Sequence, residues 1–214
     1  MTTRRISEST VRRLSRYLRL LRDLTTQREE VVSSQELAAR SGTTAAQVRK
    51  DLSVFGSFGQ RGRGYPVPEL ERTLERILGL EKKWCVVLVG AGKIGTALLG
   101  YSDLADRGFD VVAAFDTDTD KIGSNLFGVR VFPVSDLNEV VRARGVEVAI
   151  IATPPEAAQD TARLLEQAGV RGILNFAPVG LEVSEEVSVR TMDVALELEA
   201  LSFALSSRAN GGRA

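Results

Sequence analysis

The chain has 214 residues, a length typical of two domains, and its 43% hydrophobic and 26% charged residues are ordinary for a globular protein. It contains one cysteine and no histidine, which excludes an internal disulfide framework, a multi-cysteine metal site and every histidine-dependent catalytic triad. The net charge of zero is unevenly divided, because residues 1–67 carry thirteen Lys and Arg against six Asp and Glu. This surplus predicts a basic module for a polyanion such as nucleic acid, followed by an acidic remainder.

No run of 18 apolar residues occurs, so no transmembrane helix and no membrane contact are expected. The first ten residues lack the apolar segment of a secretory signal, and a single cysteine is typical of a reducing compartment. We therefore expect a cytoplasmic protein, with no catalytic and no metal-binding residues. Cys85 lies in a predicted buried strand, which disfavours a redox role for its thiol.

Three helices are predicted in the basic module. The first covers 9–27, where apolar residues recur at spacings of three and four. Two short helices follow, opened by capping boxes at Ser33–Glu36 and Thr44–Gln47 and separated by a tight turn at Gly42. Two capped helices joined by such a turn are typical of a helix-turn-helix, here at about 17–56.

The second of these short helices exposes polar and basic side chains suited to base edges and phosphates. Alternating glycine and arginine then predict a β-hairpin wing at about 59–65, lying on the DNA backbone or in the minor groove. A solvated helical subdomain with a flexible loop is the alternative. The predicted DNA contacts are Thr44, Gln47, Arg49, Lys50, Ser53, Arg61 and Arg63.

Two prolines after the wing, Pro66 and Pro68, predict a linker over 65–68 because proline disfavours continuous helix. An amphipathic helix over 69–78 follows, and Gly79 is expected to end it.

The acidic remainder begins with an apolar run, 84–89, as a central parallel strand requires. It leads into Gly90-Ala91-Gly92-Lys93-Ile94-Gly95, a complete G-x-G-x-x-G motif, and then into a helical pattern. A second strand, 109–115, ends at Asp116, which lies 21 residues after Gly95. Strand, glycine motif, helix, strand and terminal acid in this order predict a dinucleotide-binding fold.

Each part of this motif has a physical role. Gly90 permits the tight turn, Gly92 lets the backbone approach a pyrophosphate, and Gly95 lets the helix lie close to the sheet. Asp116 accepts hydrogen bonds from the ribose hydroxyls and repels a 2′-phosphate, so NAD(H) is favoured over NADP(H). A Rossmann domain that is empty or holds another nucleotide is the alternative. The predicted cofactor-binding residues are Gly90, Ala91, Gly92, Lys93, Ile94, Gly95, Tyr101, Asp116, Thr153, Pro154 and Asn175.

Further strands are predicted at 129–132, 146–152 and 172–176, with a helix over 156–168. Alternating strands and helices predict an α/β, doubly wound parallel sheet. Thr153 and Pro154 follow a strand, at the sheet edge where ligands bind in such folds. The tail over 193–206 is a helix with apolar residues on more than one face, which requires burial in a partner subunit or in its own core.

Taken together, the two halves resemble the bacterial Rex family of redox-sensing transcriptional repressors over nearly the whole chain. The segments that carry the resemblance are Tyr17-Leu18-Arg19, Gln47 to Ser53, Gly62 to Tyr65, Gly90 to Gly95, Ala113 to Asp116, Ile173 to Pro178 and Leu201 to Ala204. The resemblance implies a homodimer with N-terminal winged-helix and C-terminal Rossmann domains, whose C-terminal helices are exchanged between subunits. It implies domains at 1–79, 80–190 and 191–214, for DNA binding, NAD(H) binding and dimerisation.

The resemblance also implies a function. Such proteins repress genes of respiration and fermentation when NADH is low and leave double-stranded, palindromic operator DNA when NADH binds, whereas NAD⁺ competes without releasing DNA. NADH and NAD⁺ are then sensed ligands, not redox cofactors. The family's switch residues correspond by motif to Arg19, Tyr101 in the first Rossmann helix, and Asp193, with an Arg19–Asp193 ion pair holding one dimer state. Val194 stands where members can carry an aromatic residue.

Two other functions remain open from the residues. An NAD-dependent dehydrogenase would need Lys, Asp or Tyr as its acid–base group, and no substrate domain is visible. A Rossmann-type regulator that binds CoA or another nucleotide is the third hypothesis.

Overall fold

Short helices and a small strand pair build the first of the two units of the computed structural model, Met1–Lys82. Of the whole chain, the structure describes residues 6–56 and 64–211. The elements of this unit are α1 (Glu8–Thr26), β1 (Val31–Val32), α2 (Ser34–Ser41), α3 (Ala45–Ser53), β2 (Tyr65–Pro66) and α4 (Val67–Ile77). Strands β1 and β2 pair in antiparallel fashion.

The caps that the sequence predicts for α2 and α3 are present. Ser33 Oγ accepts a hydrogen bond from the Glu36 N–H, and Thr44 Oγ1 accepts one from the Gln47 N–H, both at 3.1 Å. Gly42 ends α2 with a φ of 69°, a left-handed conformation that glycine adopts without steric cost. The predicted helix-turn-helix is therefore confirmed, and its ends follow from local hydrogen bonding.

One apolar face of α1 supplies much of the core of this unit. Leu14, Tyr17, Leu21 and Leu24 are fully buried or nearly so, and they join buried residues of α2, α3 and α4 in a single cluster. Val11, predicted on the same face, is 38% exposed and lies outside this cluster.

The predicted linker over 65–68 is wrong. Tyr65 and Pro66 form β2, which pairs with β1, and Val67 begins α4 two residues earlier than predicted. Pro68 lies in the first turn of α4, where a missing N–H removes no helical hydrogen bond. Most of the predicted wing, including Arg61 and Arg63, falls on residues 57–63, which lie outside the described part of the chain.

The second unit, Lys83–Ala214, contains a largely parallel sheet. Its elements are β3 (Trp84–Val89), α5 (Lys93–Leu99), α6 (Asp103–Asp106), β4 (Phe109–Asp116), β5 (Asn125–Leu126), β6 (Val129–Pro133), α7 (Leu137–Ala143), β7 (Val148–Ile151), α8 (Pro155–Ala168), β8 (Gly172–Asn175), β9 (Ser188–Thr191) and α9 (Val194–Gly211). The strand order is β5-β6-β4-β3-β7-β8-β9, and only β5 pairs antiparallel among these described strands.

The parallel strands lie in the order 3-2-1-4-5-6 when they are counted along the chain, which is the doubly wound Rossmann arrangement. Side chains of β3 alternate between two cores, with Val87 and Val89 on the α7–α8 side and Val86 and Leu88 on the α5 side. The continuous apolar run of β3 is thereby explained, because both faces of the strand are covered.

Edge elements of this unit were not predicted. β9 has the sequence Ser-Val-Arg-Thr and pairs with β8 on one side, so its half-exposed position does not require an apolar run. The short β5 and the helix α6 were missed for the same reason, since none of their residues is buried. Helix α7 was also missed, although its Leu137 and Val141 are buried in the core.

The last helix, α9, is exposed over the residues whose burial the structure describes. Residues 194–207 are all exposed in the single chain, and the apolar ones include Phe203 at 75% and Val194 at 68%. The predicted apolar helix is therefore present, and the described residues of its own chain do not bury residues 194–207. In the part of the chain that the structure describes, no helix is both long and apolar enough to cross a lipid bilayer.

Candidate functional site

The glycine motif forms a tight turn between β3 and α5. Gly90 has a φ of 98°, and its N–H donates to the Phe115 carbonyl at 2.8 Å. A Cβ on Gly90 would lie 2.6 Å from the Ala152 carbonyl oxygen, and a Cβ on Gly95 would lie 1.9 Å from the Gly90 oxygen. Both positions therefore require glycine, because backbone atoms cannot move aside.

Gly92 differs from its two neighbours in the motif. A Cβ there would meet no protein atom within 4 Å, so the protein itself does not require glycine at this position. Gly92 is exposed and precedes α5, whose first residue Lys93 and second residue Ile94 are also exposed. This open surface at the turn is where the sequence predicts the pyrophosphate.

Asp116 lies against this turn. Its Oδ2 accepts a hydrogen bond from the Ala91 N–H at 2.8 Å, and its Oδ1 accepts one from the Asp118 N–H at 2.9 Å. Burial by itself would raise the pKa of Asp116, but the Asp118 and Ala91 backbone bonds and the cation of Lys121 outweigh it and lower that pKa. The structure thus joins an ionised carboxylate to the glycine turn, although 25 residues separate the two partners.

Two more predicted residues follow β7 at the same edge of the sheet. The Ala152 N–H donates to the Val89 carbonyl at 2.8 Å, which sets the 152–154 segment beside the end of β3. Thr153 Oγ1 is buried and has no hydrogen-bond partner among the described residues, and Pro154 is exposed before α8. Strands β3 and β7 flank the point where the strand order reverses, the usual ligand crevice of such sheets.

Asn175 is fully buried at the end of β8. Its Nδ2 donates to the carbonyls of Ala177 and Val179, and its Oδ1 accepts from the Ala177 N–H, all within 3.0 Å. The amide therefore holds the loop after β8 in place, and its predicted contact with a cofactor stays a prediction.

Tyr101 was predicted to lie in the first Rossmann helix, and this is wrong. Helix α5 ends at Leu99, because Gly100 caps it, so Tyr101 follows the helix. Its side chain is 54% exposed, and its hydroxyl donates to Asp103 Oδ2 at 3.1 Å.

The other predicted switch residues lie in different units. Arg19 is exposed on α1 in the first unit. Asp193 precedes α9 in the second unit, where its Oδ1 accepts the N–H groups of Ala195 and Leu196 at 2.9 and 3.3 Å. Asp193 is thus the N-terminal cap of α9, and the predicted Arg19–Asp193 pair stays a prediction.

Helix α3 presents one exposed face. Ala46, Arg49, Lys50 and Ser53 are exposed and lie on the side opposite the buried Val48. Of the predicted DNA contacts, Arg49 Nη1 donates to Ser34 Oγ at 3.0 Å, and Ser53 Oγ donates to the Lys50 carbonyl. Thr44 Oγ1 accepts the Gln47 N–H and so caps the N-terminus of α3.

The predicted contact residue Gln47 belongs to a buried polar cluster that sequence reasoning missed. Its Nε2 donates to Asp51 Oδ1 at 2.8 Å, and Arg13 binds both oxygens of Asp51 at 2.6 and 2.8 Å. The Tyr17 hydroxyl donates to Asp51 Oδ2 at 3.1 Å. An acid directly before the buried Leu52 was the signal, since a buried carboxylate requires partners.

The contacts in this cluster favour the charged forms of both Arg13 and Asp51. Burial would raise the pKa of Asp51, but its bonds to Arg13, Gln47 and Tyr17 lower it, and the Asp51 hydrogen bond raises the pKa of Arg13. Burial and then the Asp51 bond raise the pKa of Tyr17 to about 12. The cluster is therefore an ionised Arg13–Asp51 pair that ties α1 to α3.

Comparison with protein-family models matches both units. Residues 5–53 match a family described as "Putative DNA-binding protein N-terminus", and residues 81–179 match one described as "CoA binding domain". The chain is also similar along nearly its whole length to curated proteins named "Redox-sensing transcriptional repressor Rex". The one from Desulforamulus reducens is 44% identical over 96% of this chain and 98% of its own length. The one from Carboxydothermus hydrogenoformans is 48% identical over 93% and 96%.

Solved structures agree with this. The chain resembles RSP, a Rex-family repressor, in its complex with β-NAD⁺ and operator DNA, with 33% identity, a TM-score of 0.90, and coverage of 99% of this chain and 97% of that one. The complex of RSP with β-NADH matches at 31% identity with a TM-score of 0.86, over 99% of both chains. The chain therefore belongs to the Rex family of redox-sensing transcriptional repressors.

Proposed function

We propose that this chain is a repressor that binds double-stranded operator DNA through its first unit and senses NADH through its second. The hydrogen bond from the Ala91 N–H to Asp116 carries the ligand half, because it joins the ribose-binding acid to the pyrophosphate-binding turn. The two complexes of RSP, one with β-NAD⁺ and operator DNA and one with β-NADH, support both halves. Repression of respiratory and fermentative genes at low NADH then ends when NADH binds.

The proposed ligand is NAD(H), which the protein senses and does not turn over. The ionised carboxylate of Asp116 favours free ribose hydroxyls and disfavours a 2′-phosphate. Thr153 Oγ1, buried and without a partner among the described residues, is a second polar group that a ligand at this edge would satisfy. The proposed contacts also include Gly92, Lys93 and Ile94, which are exposed at the turn.

We assign DNA binding to residues 1–79, NAD(H) binding to 80–190 and dimerisation to 191–214. The exposed apolar side chains of α9, such as Phe203 and Leu201, support a homodimer, because a partner subunit would remove them from water. We propose that α9 is exchanged between subunits and that the dimer reads a palindromic operator in the cytoplasm.

The proposed switch joins Arg19, Tyr101 and Asp193. Tyr101 is exposed and Asp193 lies at the start of α9, so both are accessible to a group from another subunit. A change in DNA affinity of about 5- to 150-fold needs only roughly 1–3 kcal/mol of coupling between the sites. By linkage, operator DNA must weaken NADH binding by the same factor. Val194, small and 68% exposed, stands next to Asp193 in this scheme.

A regulator that binds CoA is the second candidate, because residues 81–179 match the family described as "CoA binding domain". Asp116 beside the glycine turn favours a dinucleotide with free ribose hydroxyls over 3′-phosphorylated CoA. Tight CoA binding without competition from NAD(H) would establish this second candidate, whereas hydride turnover would indicate a dehydrogenase.

Fluorescence anisotropy of labelled DNA tests the proposal. DNA from upstream of this gene and of respiratory genes is titrated with protein at fixed salt, and NADH, NAD⁺ or CoA is then added. We expect NADH to release the DNA and NAD⁺ to leave it bound. Tight DNA binding that is indifferent to both dinucleotides would contradict the sensor function.

Substitution of Asp116 tests the pocket itself. Asp116→Ala is expected to weaken NADH binding by about 10- to 100-fold, because hydrogen bonds to a charged group are lost. Asp110→Ala is the matched control, since Asp110 is an exposed acid near the other end of the same strand β4. Equal NADH affinity in all three proteins, measured by calorimetry, would place the pocket elsewhere.

A further inference from the structure

The side chain of Lys121 lies at the carboxylate of Asp116. Lys121 Nζ is 3.4 Å from Asp116 Oδ2 and 3.2 Å from Asp118 Oδ2. The Lys121 side chain is 36% exposed, whereas that of Asp116 is 12% exposed, so the lysine is the more accessible member of the pair. Lys121 follows Asp116 by five residues along the chain.

The fold of the surrounding turn does not depend on this ammonium. The N–H groups of Lys121 and Ile122 donate to the Asp118 carbonyl at 3.1 Å, and the Gly123 N–H donates to Val131 at 2.9 Å. The Ser124 N–H and hydroxyl both donate to the Lys121 carbonyl. Backbone and serine bonds thus hold the turn, which leaves the two carboxylates as the partners of the lysine side chain in this structure.

The position of Lys121 has a consequence for the ligand, given the NAD(H) site proposed above. A carboxylate at the end of β4 faces the adenosine ribose, and a 2′-phosphate would occupy the space at this carboxylate. Lys121 Nζ lies within hydrogen-bond or ion-pair distance of the same carboxylate. It therefore lies where it would pair with a 2′-phosphate if the carboxylate were absent.

We propose that Lys121 is a specificity-determining residue of the nucleotide site, a cation that Asp116 and Asp118 hold in ion pairs and that binds a 2′-phosphate once Asp116 is removed. In the natural protein, Lys121 partly neutralises Asp116 and Asp118. It therefore limits how strongly the site rejects NADP(H). Discrimination between the two dinucleotides is set by the Asp116–Lys121 pair, not by Asp116 alone.

A cycle of variants tests this inference. NADH and NADPH affinities are measured by calorimetry at one fixed ionic strength for the natural chain, Lys121→Met, Asp116→Ser and the double variant. Competition against NADH extends the range for weak NADPH binding. Lys83→Met is the matched control, because Lys83 is an exposed cation before β3, at the amino end of the sheet.

We expect Asp116→Ser to raise NADPH affinity relative to NADH by about tenfold or more, and Lys121→Met to remove that gain in the double variant. Lys121→Met alone should make the natural site reject NADPH more strongly relative to NADH. Lys83→Met should leave the ratio of the two affinities unchanged. Screening by added salt should reduce the effect of Lys121 on NADPH.

The outcomes separate this inference from the proposed function. NADH binding with an NADPH affinity that is indifferent to Lys121 in both backgrounds overturns the role of Lys121 but leaves the NAD(H) site standing. A natural chain that binds neither dinucleotide overturns both. If Asp116→Ser unfolds the protein, as judged by circular dichroism, the comparison of the natural chain with Lys121→Met still decides the question.

Discussion

Among the residues that the structure describes, each unit has an aspartate with a lowered pKa, buried in the case of Asp51 and half-buried in the case of Asp116, yet the two differ in what satisfies them. Asp51 is 3% exposed and is bound by the side chains of Arg13, Tyr17 and Gln47. Asp116 is 12% exposed and is bound by the Ala91 and Asp118 backbone N–H groups, with Lys121 Nζ 3.4 Å from its Oδ2.

The difference separates a structural charge from a ligand-binding one. Asp51 has its oxygens occupied by side chains from two helices, so its charge is neutralised inside the core and fixes α3 against α1. Asp116 accepts hydrogen bonds from the main-chain N–H groups of Ala91 and Asp118, and its charge lies at a glycine turn with open surface at Gly92. A lowered pKa by itself therefore does not identify a functional carboxylate; the identity of its partners does.

The largest expected effect comes from removing the structural carboxylate. Asp51→Ala leaves the Arg13 guanidinium, 21% exposed, without its partner, and should lower the free energy of unfolding of the first unit by about 3–5 kcal/mol. Denaturant unfolding measures this, and operator binding should be lost with it. Asp23→Ala, an exposed acid on α1, is the control and should change stability by less than about 0.5 kcal/mol. Equal free energies of unfolding in the two variants would show that Asp51 does not stabilise the packing of α3 against α1.

The second prediction compares two glycines of one turn. Gly95→Ala places a Cβ against the Gly90 carbonyl and should displace the turn, with loss of NADH binding and of stability in the second unit. In Gly92→Ala the added Cβ meets no protein atom within 4 Å, so the protein should fold with unchanged stability while NADH binding still weakens. Unchanged NADH affinity in Gly92→Ala would move the pyrophosphate away from this turn.

The third prediction concerns the face of α3 that Asp51 holds in place. Arg49→Ala and Lys50→Ala should each weaken operator binding by about 1–3 kcal/mol, without changing NADH affinity. A lost phosphate contact should also reduce the slope of log affinity against log salt by about one. Ser15→Ala, at an exposed position of α1, serves as the control. If both basic variants bind the operator as the natural chain does, α3 is not the recognition helix.

The fourth prediction follows from the pKa of Asp51. Its folded pKa lies below the ordinary value of 3.8, so its ionised form stabilises the first unit above that pH. This stabilisation is lost as pH falls below 3.8 through the lower folded pKa. Acid titration of the unfolding free energy should therefore be flatter in Asp51→Asn than in the natural chain, and parallel curves would contradict the pairing.

The smallest effect is expected for Tyr17, whose hydroxyl donates to Asp51. Tyr17→Phe removes one hydrogen bond to Asp51 and should lower the free energy of unfolding by about 1 kcal/mol. The folded pKa of Tyr17 is raised to about 12. Its protonated hydroxyl therefore stabilises the folded state fully below pH 10, and this stabilisation is lost as pH rises through 12. A double-mutant cycle with Asp51→Asn measures the coupling, and purely additive effects would show that the hydrogen bond contributes nothing.

Local signals in the chain predicted much of this architecture. The caps at Ser33 and Thr44 depend on side chains within three residues of the groups they bind, so the sequence specified them directly. The glycine motif and the apolar run before it specified the turn and the central strand. Peripheral elements such as β9 carry no such pattern, because one exposed edge accepts polar residues.

Long-range pairings escaped prediction for a physical reason. Arg13 and Asp51 are 38 residues apart, and Lys121 meets Asp116 through a turn whose path the periodicity does not specify. The bonds of the Asn175 amide to its own loop were likewise not specified by any local pattern, and its predicted contact with a cofactor stays a prediction. Tyr101 continued the helical spacing of α5, yet Gly100 ended the helix before it.

The sequence by itself determined the helix-turn-helix, the glycine turn, the central strand before it and the acid at the end of β4, because each depends on neighbours along the chain. Only the tertiary structure decided which carboxylate is neutralised in a core and which faces open surface. That distinction depends on side chains brought together from distant segments, where burial strengthens every charge interaction and the cost of an unpaired group is high.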